Sequence, residues 1–185
     1  EWDRAMEHLE DARRGFEALA DRSGLLMAMI ATAFTRFEFE DTERALEDCR
    51  LVEVLAGDSP PGGEIAVLHW AKAHCLFKEG DTEAAHRLAA ATLGEVAPDG
   101  EKRLLALLYT LLARIGARDD RQELAMNAIE AAGQSHNQRL VAEAWWAYAA
   151  AARDRGDSEA AVLAFNHALA GLREWLKCNL EGRER

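Results

Sequence analysis

Alanine recurs along this chain at a fixed interval. Ala5, Ala45, Ala85 and Ala125 stand 40 residues apart, and a tighter step of 36 residues leads on to Ala161. Four positions after the first four come Leu9, Cys49, Ala89 and Ile129. A second series, Ala33, Ala73 and Ala113, keeps the same 40-residue phase. Two helices approach closely only where side chains are small, and a bulky residue opposite then fills the groove between ridges. One such hairpin cannot bury its apolar face alone, so neighbours stack and share a core. The composition agrees with packed helices: 49% of the residues are apolar, many of them alanine, with 7% aromatics and three prolines. Alanine is the best helix former.

The most complete unit runs from Trp145 to Ala168. Trp145 is followed by small Ala149, a Gly156-Asp157 turn, small Ala161, aromatic Phe165 and small Ala168. This order resembles the tetratricopeptide repeat. Two slots depart from it, because Tyr148 replaces the usual leucine and the proline after the second helix is missing. The period also exceeds the usual ~34 residues, and the array is similar to the long-period type in bacterial LuxR-type regulators and some signalling cyclases. The resemblance implies an all-α fold, a right-handed α-solenoid of antiparallel helix pairs, over one domain 1–185. It divides into a partial repeat 1–22, repeats at about 23–62, 63–99, 100–136 and 137–168, and a helical extension 169–185.

Turn signals fit this register. Asp21-Arg22-Ser23-Gly24, Gly80-Asp81, Pro98-Asp99-Gly100 and Gly156-Asp157 each interrupt a helical pattern. Asp58-Ser59-Pro60-Pro61-Gly62-Gly63 is the strongest break. The alanine phase runs straight through it, so it reads as a loop between repeats and not as a domain boundary. Helices are expected at about 2–20, 24–39, 41–56, 64–79, 81–95, 100–116, 119–133, 137–155 and 158–181.

A formal charge of -11 disfavours nucleic acid as a partner, since phosphate backbones need clustered Lys and Arg. Cys49, Cys75 and Cys178 are far apart and form no C-x-x-C pair, which reads as reduced thiols in a cytoplasmic protein. No apolar run reaches the ~18 residues that span a bilayer. The chain starts at Glu1 and ends Glu181-Gly182-Arg183-Glu184-Arg185, which reads as a piece of a longer protein. No nucleotide-loop, zinc-protease or hydrolase signature is present. His69 and His74 lie about 140° apart around a helix and cannot easily share a metal. No catalytic residue, metal or cofactor is expected.

In tetratricopeptide arrays the first helix of each hairpin lines a concave groove, and the resemblance carries its ligand-facing slots onto this chain. They hold Met27, Ile30, Phe34, Phe37 and Glu38, then Val67, Trp70, His74, Phe77 and Lys78. The next two helices supply Leu107, Thr110, Arg114, Ala117 and Arg118, then Glu143, Trp146, Ala150, Arg153 and Asp154. The first half of this surface is aromatic and its middle basic, through Lys78, Arg114, Arg118 and Arg153. Aromatic and arginine side chains anchor interfaces, so the expected partner is a protein or peptide that is acidic and amphipathic. Trp70 and Trp146 are the foremost contact candidates; the competing reading is that the aromatics are simply core. Ile30, Trp70, Phe34 and His74 stand where a chaperone-tail carboxylate clamp needs lysine and asparagine, so that clamp is absent.

The last helix carries Phe165, Leu169, Leu172, Leu176 and Leu180 in one stripe, with Trp175 beside it. The stripe either packs on the preceding helix or serves a homodimer or linker, for which Leu172, Trp175, Leu176 and Leu180 are the candidates. The functional expectation is a non-enzymatic recognition scaffold, a regulatory or sensor module of a larger bacterial signalling or transcription protein. A dimerisation spacer and a small-molecule sensor are the other readings.

Overall fold

A computed structural model describes residues 2–39, 41–57, 62–96 and 100–181, with backbone alone at 62–64 and 179–181. Among the described residues the chain is all-α. The helices are α1 (Trp2–Ala18), α2 (Arg22–Glu38), α3 (Thr42–Ala56), α4 (Gly62–Lys78), α5 (Thr82–Glu95), α6 (Lys102–Ile115), α7 (Arg121–Gln134), α8 (Gln138–Asp154) and α9 (Ser158–Glu181). Every expected helix is present, with ends displaced by two residues at most. The Asp58–Gly63 break and the Pro98-Asp99-Gly100 turn fall largely on residues 58–61 and 97–99, outside the described residues.

The turns show why the helices stop and restart where they do. Gly80 and Gly156 adopt φ of 90° and 84°, a left-handed conformation that costs glycine little. The N–H of Asp81 reaches the carbonyl of Leu76 at 2.9 Å, and that of Asp157 reaches Ala152 at 3.0 Å. Gly80 and Gly156 donate to Phe77 and Arg153 at 3.1 and 2.9 Å, which completes a Schellman closure at each site. The same aspartates then begin the next helix, accepting from the backbone of Ala84 and Ala160 at 3.0 Å each. Ala20, at φ 53°, takes the glycine's place before Asp21. Asp21 accepts from Gly24 N–H at 3.0 Å, so α2 starts at Arg22, two residues before the sequence pattern suggested. Turns this short reverse the chain and make hairpins.

Packing divides the chain into two compact units, Glu1–Leu88 and Ala89–Arg185, with the division inside α5 and not at the Asp58–Gly63 break. In the first unit α1 packs on α2, α2 on both α3 and α4, and α3 on α4. Leu26 and Ile30 of α2, Cys49 and Val52 of α3, and Ile65 and Leu68 of α4 form its core. Arg22 donates to the carbonyls of Leu55 and Ala56 at 2.6 and 3.3 Å, which satisfies the C-terminal end of α3. Arg36 holds Asp48 at 2.6 Å across α2 and α3. Burial pushes the Asp48 carboxyl up, and the guanidinium offsets part of that rise. Lys72 grips both Glu53 oxygens at 2.7 Å across α3 and α4.

In the second unit α6 packs on α7 and α8, α7 on α8, and α8 on α9. Ala113, Ala125 and Ala147 meet at its centre, edged by Leu124 and Tyr148, whose hydroxyl accepts from Gln122 at 2.8 Å. The alanines of both series are buried from Ala33 to Ala161, as close helix approach requires. Ala5 is half-buried on α1, a helix with no fully buried residue. The arrangement, consecutive hairpins with alternate helices also in contact, is a helical repeat-like all-helical fold. No helix among the described residues is long and apolar enough to cross a membrane.

Candidate functional site

Helices α2 and α4 bring five of the groove candidates together. The rings of Phe34 and Phe37 lie 5.8 Å apart, and Trp70 sits 5.9 Å from the first and 5.2 Å from the second. His74 packs edge-on to Phe37 at 4.9 Å and to Phe77 at 6.3 Å. Lys78 places its ammonium 5.8 Å from the Phe37 centroid, within reach of a cation–π attraction. The slots recur at helical spacing on both helices, so the rings line one seam in tilted and edge-on contacts.

Burial separates two roles within this cluster. Trp70 is 6% exposed and Phe37 8% exposed, so they form the floor. Phe34, His74 and Phe77 are half-buried above it, Lys78 is exposed, and Met27 adds an exposed thioether one turn before Ile30. Trp70 is therefore core, while the residues around it carry the accessible apolar surface. Sequence slots identify which residues share a helix face; depth on that face depends on the neighbouring helix.

The candidates of the second unit are arranged differently. Arg114 and Arg153 are exposed on α6 and α8. Arg118 donates to the backbone carbonyl of Asp154, and Arg121 contacts the Asp154 carboxylate at 3.1 Å and the carbonyl of Gly116 at 2.9 Å. Arg153 approaches the same carboxylate at 3.5 Å. These guanidinium groups gather at the C-terminal ends of α6 and α8, where cations complement the helix dipole. Arg121 was not among the sequence candidates, nor was Arg22, which does the same for α3. A shared signal exists, since each directly follows the aspartate before its helix. Trp146 is 51% exposed and meets Phe165 of α9 edge-on at 4.7 Å, and Trp145 stacks on His167 at 4.5 Å.

The thiols divide sharply. Cys49 and Cys75 are buried and Cys178 is exposed. Burial pushes Cys49 up to about 12 and Cys75 up to about 11. A thiol at about 12 is about one part in ten thousand thiolate at pH 8, and the thiolate is the nucleophile. The folded protein should therefore release one fast thiol equivalent to a disulfide reagent at pH 8, and three in denaturant. Rapid loss of two or three equivalents from the folded chain would contradict this burial. Because both buried thiols hold their protons more tightly when folded, their contribution to stability is present below about pH 9 and fades as pH rises towards 12. Among the described residues, no group of three His, Cys, Asp or Glu side chains is placed to hold a metal.

No protein-family profile matches the chain, and no curated protein matches it. A solved structure does. The crystal structure of BtubC (BKLC) from P. vanneervenii superposes with a TM-score of 0.73, over 94% of this chain and 74% of BtubC, at 15% sequence identity. At that identity the likeness is one of fold.

Proposed function

We propose that this chain is a protein- or peptide-binding scaffold, built as a right-handed solenoid of tetratricopeptide-like hairpins of the long-period type. It would act as a regulatory or sensor module in a larger cytoplasmic signalling or transcription protein of bacterial type. Support for the architecture comes from the buried alanine phase, the Gly-Asp turn repeated inside two of the hairpins, and the fold shared with BtubC. The observation that carries the binding reading is the ring seam of α2 and α4, with a buried floor, half-exposed aromatics above it and Lys78 at its edge. Such a surface offers rigid apolar contact area and one cation, the chemistry that suits an acidic amphipathic segment.

A display library of random 15-residue peptides, panned on the folded protein and counter-selected on a Phe34→Ala, Phe77→Ala, Lys78→Glu variant, tests this reading. Enriched peptides should combine leucine or aromatic residues with Asp or Glu. Equal recovery on both proteins would remove the reading. The other candidate role, a spacer joining copies of the chain, draws on a separate surface of α9.

A further inference from the structure

Helix α9 presents two apolar faces, and α8 covers one of them. The covered face consists of Ala161, Ala164, Ala168 and Gly171, all buried. A methyl group added to Gly171 would lie 3.2 Å from the Cβ of Ala142, so α8 and α9 are in close backbone contact there. The second face, about a quarter-turn away, carries Val162, Phe165, Leu169, Leu172 and Leu176 at spacings of three, four, three and four. That is two heptads of a and d positions. Val162 is 61%, Leu169 45% and Leu176 50% exposed. Among the described residues, α8 is the one element that packs on α9. The small-residue face thus does most of the packing on α8, and Val162, Leu169 and Leu176 stay exposed beside half-buried Phe165 and Leu172.

The repeat phase shows what this face does elsewhere. Aligning Ala161 with Ala45 places Phe165 on Cys49 and Leu172 on Ala56. Both residues of α3 are buried, in a helix that carries α4 on that side. Where α3 has small, buried residues under the next helix, α9 has large ones that are half-buried, Phe165 against Trp146 of α8.

We infer that this face joins two copies of the chain through an antiparallel α9–α9 pair. Charge selects the occupant and the direction. The stripe is flanked on its solvent side by Glu159 and Arg173, both exposed and both at e positions. In an antiparallel pair that sets Val162 against Leu172 and Phe165 against Leu169, Glu159 lies beside Arg173 of the second copy. Two-fold symmetry makes that ion pair twice. A parallel pair would place Arg173 beside apolar g positions and form neither. Trp146, half exposed against Phe165, extends the apolar surface beside the stripe.

The proposal is independent of the α2–α4 seam. Light scattering after size exclusion, together with sedimentation equilibrium on the 185-residue chain, provides the test. A dimer is expected, and Leu169→Glu should weaken it about 100-fold or more, because each copy loses an apolar contact and gains a charge in the seam. Leu169 is half exposed in one copy, so circular dichroism should show the variant folded. Glu159→Arg and Arg173→Glu should each weaken the dimer about tenfold, and the double reversal should restore it. A chain that stays monomeric up to about 100 μM, or a dimer indifferent to Leu169→Glu, overturns the inference. Single reversals that the double variant fails to rescue overturn the antiparallel arrangement.

Discussion

Ala125→Leu should lower the stability of the second unit by about 3 kcal/mol, at the upper end for overpacking. Ala125 is fully buried and packs with Ala113 of α6 and Ala147 of α8, so three helices meet at one methyl group. Leucine there adds three heavy atoms where none of the three backbones has room to retreat. Protein interiors are close-packed, and the excess volume must push a helix or force an off-rotamer side chain. Ala170→Leu is the matched control. Ala170 is exposed on α9, and leucine is nearly as good a helix former as alanine, so the change should stay within about 0.5 kcal/mol. Urea unfolding followed by tryptophan fluorescence, to which the second unit contributes Trp145, Trp146 and Trp175 of the five indoles, reads the change. A variant at Ala125 as stable as the control would mean that the alanine phase is not what sets the helix spacing.

Trp70→Ala should be nearly as costly for the first unit, about 3 to 4 kcal/mol. The indole is 6% exposed and touches Phe34, Phe37 and His74, so its removal leaves a large cavity under the seam. Phe77→Ala removes a half-buried ring and should cost about 1 to 2 kcal/mol, and Lys78→Glu about 0.5 kcal/mol or less. Thermal unfolding by circular dichroism checks this order. The consequence for function is practical: a binding defect in Trp70→Ala would report a collapsed floor, whereas defects in Phe77→Ala and Lys78→Glu would report lost contacts. Trp70 and Phe77, both groove slots on one helix, thus differ in what they do.

Much of the fold was legible in the sequence because its determinants are local or strictly periodic. The Gly-Asp pairs marked turns that glycine's left-handed conformation and aspartate's cap then made, and the buried alanines fell where the phase placed them. Ala20 shows the limit of that signal: the same turn forms around a residue with no glycine to announce it. The grouping of Phe34, Phe37, Trp70, His74 and Phe77 was also legible, because slots on α2 and α4 share one period. Their depth was not, since burial depends on how the two helices tilt against α3. The roles of Arg118 and Arg121 were hidden for a related reason. Both reach a helix end more than 30 residues on, where Asp154 and its carbonyl wait, and no local pattern encodes that distance. Phe165, Leu169, Leu172 and Leu176 were visible as a stripe on α9, without Val162, but only the Ala161–Gly171 face could reveal that α8 packs mainly beside it.

The binding claim meets its most direct test in two-dimensional amide and aromatic NMR during titration with an acidic amphipathic 15-residue peptide of alternating leucine and glutamate turns. Saturable shifts should concentrate on Phe34, His74, Phe77 and Lys78 of α2 and α4, and should weaken as salt screens the lysine. Shifts confined to α9, or none at millimolar peptide, would contradict a recognition surface on that seam.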